Sequence, residues 1–237
     1  MILSVQGVRK SLGGRIAVDE VAFSLEAGEI VGVAGPNGSG KSTLINIIAG
    51  ALEPDYGDIK LLGLDMVAQR ARAQERLGYV PQGAPLPDDG APARLLRRSA
   101  RQRGLKHADV RHAVLAAAQA AQLDAAFDRP LPSLSPGQRR RLALAAALVH
   151  RPVLLLLDEF DEGLDWQERK ALRGIVKGAA EHRAVLLASR SLEELEAVCD
   201  RVILLHRGRI VGERTPGAPE NAEESYAMVA ARRRLER

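Results

Sequence analysis

Residues 35–42 read Gly-Pro-Asn-Gly-Ser-Gly-Lys-Ser and match the pattern G-x-x-x-x-G-K-[ST] at every fixed position. The apolar stretch before them predicts a β-strand over Ile30–Ala34, and the apolar stretch after them predicts a helix over about Ser42–Ala49. Glycines in such a loop let successive backbone amides face one anion, and the following helix adds its positive N-terminal end. The segment therefore predicts a phosphate-binding loop, hereafter the phosphate loop. A glycine-rich turn with a chance lysine is the alternative, and the matching context on both sides argues against it.

The side chains of the phosphate loop predict how it would hold a nucleotide. Lys41 is expected to bridge the β- and γ-phosphates, and the Ser42 hydroxyl is expected to ligate Mg²⁺. The nucleotide contacts predicted in this segment are Gly35, Pro36, Asn37, Gly38, Ser39, Gly40, Lys41, Ser42 and Thr43.

The second feature is a pair of acidic residues that follows a buried strand. The run Val153–Leu157 is apolar without alternation, which predicts a strand buried on both faces, and it leads into Asp158 and Glu159. A carboxylate at the end of such a strand beside a phosphate loop is where Mg²⁺ needs an acidic partner, so Asp158 is the predicted metal residue. Glu159 is expected to orient and deprotonate an attacking water. The alternative is a solvated junction between strand and loop.

The pattern of elements predicts an α/β fold. Apolar residues before Gly13-Gly14 and a period-2 alternation of apolar residues after it predict an N-terminal antiparallel β subdomain. The later buried strands predict a central, mostly parallel sheet with helices on both faces. Between about residues 83 and 135, two Ala/Leu/Arg-rich stretches near 93–103 and 108–122 predict an inserted α-helical subdomain. Its basic residues are either a solvated face or a docking surface for an acidic partner. We expect one P-loop NTPase domain over residues 1–215 and a charged C-terminal tail over 216–237.

The composition excludes several classes of protein. The 34 Lys+Arg exceed the 30 Asp+Glu by only four, and aromatic residues make up 3%, so no nucleic-acid partner is expected. Cys199 is the single cysteine, which excludes an internal disulfide and a cysteine-cluster metal site and fits a cytoplasmic location. The longest apolar run, 142–149, is eight residues, whereas a membrane-spanning helix needs about 20.

One further motif separates the families that share a phosphate loop. Residues 134–138 read Leu-Ser-Pro-Gly-Gln and lie twenty residues before Asp158. Ser135 and Gln138 alone would also form an ordinary helix capping box. Together with the phosphate loop, the acidic strand end and the helical insertion, however, this segment resembles the signature of the ABC transporter ATPase family. The resemblance covers about residues 2–214.

The resemblance implies a shared site. In that family two ATPase domains pair head to tail, and the signature helix of one meets the ATP held by the other. It implies that Ser135, Gly137 and Gln138 contact the partner's ATP. Pro136 stands where the family usually has a glycine and removes one amide donor, while the amide of Gly137 remains.

Two more segments match the family by position. Gln82 follows Tyr79-Val80-Pro81 and matches the glutamine that ligates Mg²⁺ and senses the transmembrane partner. Asp165 follows Gly163-Leu164 and matches the aspartate that crosses the dimer interface. The resemblance thus implies a metal set of Ser42, Gln82 and Asp158, with Glu159 and Gln82 as catalytic residues.

Three positions depart from the family's pattern. Arg190 stands where the family usually has a histidine that contacts the γ-phosphate, so we include it in the predicted catalytic set. Arginine can neutralise phosphate charge, but it stays protonated and cannot shuttle a proton. Leu12 replaces the aromatic residue that stacks on adenine and keeps only an apolar contact. Phe160-Asp161 replaces the usual Pro-Thr, with no consequence that the sequence explains.

The resemblance to the ABC transporter ATPase family implies an ATP-binding and ATP-hydrolysing subunit. It would pair with a second ABC ATPase subunit, identical or paralogous, and power a separate integral membrane permease that holds it at the inner face of the cell membrane. The segments Gly63–Asp65 and Pro87–Asp89 favour an export-type subunit. The alternatives are a catalytically weakened regulatory subunit beside an active paralogue, a soluble ABC-family switch in translation or DNA repair, and an ordinary P-loop kinase or GTPase.

Overall fold

The computed structural model describes residues 1–83, 85–87, 90–123 and 126–217. Its strands are β1 Leu3–Leu12, β2 Arg15–Leu25, β3 Ile30–Ala34, β4 Tyr56–Leu61, β5 Leu64–Asp65, β6 Leu77–Val80, β7 Leu154–Asp158, β8 Ala184–Ser189, β9 Arg201–His206 and β10 Arg209–Arg214. Its helices are α1 Lys41–Ile48, α2 Arg70–Gln74, α3 Pro92–Gln102, α4 His107–Ala120, α5 Pro136–Leu148, α6 Trp166–Ala180 and α7 Leu192–Glu196. A short 3-10 turn covers Leu131–Ser133.

The strands form two sheets. The first has the order β2-β1-β4-β5, and its pairs are antiparallel. The second has the order β10-β9-β3-β8-β7-β6 and is parallel except for the β9–β10 hairpin. This architecture confirms the predicted α/β fold, with an N-terminal antiparallel β subdomain, a central mostly parallel sheet and an inserted helical subdomain. The elements β5, α2 and β10 were not predicted: β5 and α2 are too short to show a period, and β10 has only two large apolar residues, Ile210 and Val211.

The core explains why the sequence of β7 does not alternate. Leu154 and Leu156 pack into one core cluster with the N-terminal sheet and α1, whereas Leu155 and Leu157 pack into a second cluster with α5, α6 and α7. Each face of the strand is therefore dry, as expected for a parallel sheet covered on both sides. At an approximate 25 cal/mol per Å² of apolar area, such burial is the main force that holds β7, and the carboxylates at its end, in place.

The helical insertion has a core of its own. Leu96, Val114 and Leu142 are buried in a third cluster formed by α3, α4 and α5, so the insertion is held to the central domain by the helix that follows the signature motif. No helix among the described residues has the length and apolar character needed to cross a membrane. The predicted C-terminal tail lies outside the described residues from residue 218 onward, and so do Asp88 and Asp89.

Candidate functional site

The phosphate loop connects β3 to α1 and depends on two glycines for close backbone contacts. A Cβ on Gly35 would lie 2.4 Å from the carbonyl oxygen of Leu205, and one on Gly40 would lie 2.2 Å from that of Ala17. Gly40 also has φ +106°, a conformation that other residues rarely adopt. Any side chain at either position would push the loop away from its neighbours. Pro36, Asn37 and Gly38 lie exposed at its tip.

Lys41 points back over the phosphate loop. Its ammonium donates to the carbonyl oxygen of Gly35 at 2.9 Å and lies 3.1 Å from Glu159 Oε1. The residue is only 4% exposed. A cation so far removed from water interacts strongly with any anion that enters the loop, since the local dielectric constant is low.

Ser42 and Asp158 bring two oxygen donors together. Ser42 Oγ donates to Asp158 Oδ1 at 3.1 Å. Burial raises the pKa of Asp158, while the hydrogen bond from Ser42 and the charge of Lys41 oppose that shift. In the described part of the chain no three His, Cys, Asp or Glu side chains form a metal cluster. A hydroxyl and a carboxylate are the protein ligands with which Mg²⁺ is commonly bound together with phosphate oxygens, so these residues fit that ion.

Glu159 is held by its backbone as well as by its carboxylate. Its φ is +46°, a left-handed conformation that costs a non-glycine residue about 1–2 kcal/mol. Arg140 Nη2 donates to the carbonyl oxygen of Glu159 at 3.1 Å and helps to fix this conformation. The residue is 5% exposed, and besides Lys41 its carboxylate contacts Arg190, whose Nε lies 3.5 Å from Oε2. Glu159 thus sits between two cations.

Arg190 and Gln82 meet at the same edge of the sheet. They follow β8 and β6, which flank β7, so their backbones end on either side of Glu159. Arg190 Nη2 lies 3.3 Å from Glu162 Oε1, and Gln82 Nε2 donates to Glu162 Oε2 at 3.0 Å. The structure therefore brings together the predicted residues Lys41, Ser42, Asp158 and Glu159, and adds Arg190 and Gln82 through Glu162.

The departure at Phe160-Asp161 has structural roles. Phe160 is 1% exposed and packs in the core cluster beneath α5 and α6. Asp161 Oδ1 accepts a hydrogen bond from Ser189 Oγ at 2.8 Å, and Ser189 Oγ in turn accepts one from the amide of Ser191. The pair therefore joins the turn after β7 to the segment that carries Arg190.

The signature segment forms the predicted capping box and one further contact. Ser135 Oγ accepts from the amide of Gln138 at 3.2 Å, and Gln138 Oε1 accepts from the amide of Ser135 at 3.0 Å. The Gly137 amide, which the sequence leaves available for a phosphate, donates to Glu168 Oε1 at 3.0 Å. Ser135 Oγ also donates to that oxygen at 3.3 Å. Glu168 thus engages two of the donors predicted for the partner's nucleotide.

Asp165 and Leu12 lie away from this cluster of contacts. Asp165 caps helix α6, because its Oδ1 accepts a hydrogen bond from the amide of Glu168 at 2.8 Å. Leu12 ends β1 at the hairpin turn and is 45% exposed. The same hairpin abuts the phosphate loop through Ala17, whose carbonyl oxygen faces Gly40.

Three residues at the site were missed by the sequence analysis: Arg140, Glu162 and Glu168. A signal for the first two exists, since Asp158, Glu159, Asp161 and Glu162 place four carboxylates within five residues. So many acids at the end of a buried strand require cations nearby. Burial lowers the pKa of Arg140, whereas all four carboxylates raise it, so Arg140 is one of those cations. No sequence signal points to the contact between Glu168 and Gly137.

Comparisons with known proteins place this site in a family. The family model described as ABC transporter matches residues 18–161. The chain is 35% identical over 219 residues to the Nod factor export ATP-binding protein I of Ralstonia nicotianae, covering 91% of this chain and 67% of that protein. It is 34% identical over 223 residues to the protein of the same name from Sinorhizobium fredii, covering 91% of this chain and 63% of that protein.

Solved structures share the fold. The ATP-binding subunit of an ABC transporter superposes with a TM-score of 0.82 at 24% identity, over 98% of this chain and 99% of that one. A dimeric ATP-binding cassette in a post-hydrolysis state, bound to ADP and Pi, superposes with a TM-score of 0.81 at 22% identity, over 92% of this chain and 100% of that one.

Proposed function

The chain belongs to the ABC transporter family as an ATP-binding subunit, and on that premise we propose that it hydrolyses MgATP between two subunits to drive a separate membrane permease. The observation that carries this proposal is the contact of Lys41 and Ser42, from the phosphate loop, with the two carboxylates that end β7. A phosphate-binding cation, an oxygen pair suited to Mg²⁺ and a candidate base for water are thereby within reach of one bound nucleotide.

The roles proposed for the residues follow from their donor and acceptor atoms. Ser42 and Asp158 would hold Mg²⁺, and Gln82 would complete the set through its amide oxygen, because its amide nitrogen is used by Glu162. When bound, Mg²⁺ neutralises charge on the phosphate oxygens. Lys41 would bind the β- and γ-phosphates, exchanging part of its contact with Glu159 for the phosphate. Glu159 would orient a water molecule and accept its proton.

The proposed assembly is a head-to-tail pair of ATPase subunits on a permease. The dimeric cassette among the similar structures supports pairing, and Ser135 and Asp165 are exposed, so both are accessible to a second subunit. The names of the relatives favour export as the direction of transport. The permease would hold the chain at the inner face of the membrane.

Affinity purification separates this proposal from a soluble switch of the same family. The tagged chain should recover an integral membrane protein from detergent extracts of its source cells. The parent and a phosphate-loop variant should recover equal amounts of it. Recovery of ribosomes or DNA in place of a membrane protein would support the switch and contradict the transporter.

We further propose that Arg190 makes this subunit a slow ATPase. Arg190 Nε lies 3.5 Å from Glu159 Oε2, so a permanent cation competes with water for the carboxylate that is to accept the proton. Arg190→His should therefore raise turnover at saturating MgATP several-fold, with little change in nucleotide affinity. Steady-state assays over a range of ATP concentrations separate the two quantities.

The control for that variant is Arg101→His, on an exposed position of α3. It makes the same chemical change far from the carboxylates and should leave turnover unaltered. If the parent already hydrolyses ATP as fast as Arg190→His, the arginine is a working substitute for histidine and the subunit is not weakened.

A further inference from the structure

Glu162 connects two site residues that no sequence motif connects. It lies in the turn that follows β7, where its amide donates to the carbonyl oxygen of Glu159 at 3.2 Å. One carboxylate oxygen meets Arg190 Nη2 at 3.3 Å, and the other accepts from Gln82 Nε2 at 3.0 Å. The turn follows the central one of three adjacent strands, so the Glu162 side chain can reach the residues that follow both neighbouring strands.

Through Glu162 the site becomes one continuous row of contacts. Lys41 pairs with Glu159, Glu159 with Arg190, Arg190 with Glu162, and Glu162 with Gln82. Three of these residues, Glu159, Glu162 and Arg190, line a cavity of about 370 Å³. The charges alternate along the row, so the guanidinium of Arg190 is shared between two carboxylates instead of resting on one.

Loss of Glu162 would change how strongly Arg190 pairs with Glu159. Among the ion pairs of the described residues, Arg190 would keep only the one with Glu159 Oε2. The guanidinium would then be drawn further onto the oxygen that is to receive the proton of water. Gln82 would at the same time lose the acceptor that orients its amide.

We propose that Glu162 is a positioning residue that holds Arg190 partly away from Glu159 and ties both to Gln82, the residue expected to sense the permease. The inference rests on the proposed function, because it concerns the hydrolysis that the site would carry out. Glu162 and Arg190 would together orient the groups around the γ-phosphate, in place of the histidine that the family usually has at position 190.

The test is a double-mutant cycle of Glu162→Gln and Arg190→His. In the parent, Glu162→Gln should lower turnover at saturating MgATP by about two- to fivefold, the range of a solvent-accessible ion pair, and change KM by less. In the Arg190→His background the same substitution should have little effect. Glu162→Asp, which keeps the charge, should recover part of the lost turnover.

The cycle should also be measured without turnover, as the ATP concentration that half-saturates dimer formation in a Glu159→Gln background. Glu181→Gln, on an exposed position at the end of α6, is the matched control. Equal effects of Glu162→Gln in both backgrounds, in both measurements, would refute the positioning role. Absence of ATP hydrolysis and of dimers in every variant, the parent included, would instead refute the proposed function.

Glu168 carries a second, independent inference. Its Oε1 accepts from the Gly137 amide at 3.0 Å and from Ser135 Oγ at 3.3 Å. A Cβ on Gly137 would lie 2.3 Å from that oxygen, so the carboxylate sits directly against the N-terminal turn of α5. An anion at this position gains from the Gly137 amide and from the helix dipole, as a phosphate would.

We infer that Glu168 competes, from within the same chain, with the partner's nucleotide for the signature segment. Glu168 must release the Gly137 amide before that nucleotide can bind there. This inference also rests on the proposed function, because it presumes head-to-tail pairing. Glu168 anchors the N-terminus of α6 as well, since its Oε2 accepts from the amide of Asp165 at 3.4 Å. Closure of the dimer would then be coupled to the loop that carries Asp165.

Removal of the charge should therefore promote pairing. In a Glu159→Gln background, Glu168→Gln should lower the ATP concentration for half-maximal dimer formation by about two- to fivefold, the size of a charge effect at a helix terminus. Light scattering measures the dimer, and Glu181→Gln, at the C-terminal end of the same helix, is the control. If Glu168 only stabilised the N-terminus of α6, Glu168→Gln should weaken pairing, because it would loosen that helix. Weaker pairing or no change would refute the proposal that Glu168 competes with the nucleotide. No dimer in any variant would refute pairing itself.

Discussion

Replacement of Glu159 by glutamine is expected to lower ATP turnover by at least about a hundredfold, which is the smallest contribution typical of a general base. An amide cannot accept the proton of the attacking water. Glutamine has the shape of glutamate and fits a site that is 5% exposed. Its amide oxygen can still accept from Lys41, whose Nζ lies 3.1 Å from Oε1 in the parent. The loss should therefore affect chemistry and leave the fold unchanged.

The same substitution should leave nucleotide binding intact and accumulate an ATP-bound dimer. Turnover is measured at saturating MgATP, affinity by nucleotide titration, and the dimer by light scattering. Glu181→Gln, outside the site, should behave as the parent does. A Glu159→Gln chain that hydrolyses ATP at the parental rate would remove Glu159 from the mechanism, and the search for a base would move to Asp161 and Glu162, which line the same cavity.

The sequence predicted those parts of the molecule in which a local pattern has one physical meaning. The glycines and Lys41 of the phosphate loop, and the apolar run before Asp158, indicate the strand–loop–helix unit and the acidic strand end without reference to distant residues. The turn at Gly13-Gly14 and the period-2 alternation after it predicted the first hairpin in the same way, and the structure has this hairpin as β1 and β2. The strand that leads into the phosphate loop, β3, begins and ends at the predicted residues.

What the sequence could not predict are contacts between side chains far apart in the chain. Gln82 and Glu162 are 80 residues apart, and Gly137 and Glu168 are 31 residues apart. Such pairs are created by the strand order and by the packing of α5 against α6, neither of which leaves a periodic pattern in the sequence. Phe160 illustrates the same limit, because its role became evident only when the core cluster that surrounds it was known.

Replacement of Lys41 by alanine is expected to weaken MgATP binding by about ten- to a hundredfold, since a charge-assisted hydrogen bond contributes about 1.5–3 kcal/mol. The structure shows that Lys41 already has an anionic partner before a nucleotide binds. Lys41 is paired with Glu159, so a γ-phosphate and the Glu159 carboxylate compete for one ammonium group. In the parent, the free energy gained from the contact between Lys41 and phosphate is therefore partly offset, because nucleotide binding weakens the ion pair between Lys41 and Glu159.

That competition predicts a coupling between the two substitutions. In a Glu159→Gln background the ammonium has no carboxylate at that position to leave, so Lys41→Ala should weaken binding by a larger factor than it does in the parent. Nucleotide titrations of the four chains give both factors, and Lys177→Ala, an exposed lysine on α6, serves as the control. Affinity that is unchanged by Lys41→Ala would refute the phosphate loop. Equal factors in both backgrounds would preserve the loop but show that Glu159 and the nucleotide do not compete for Lys41.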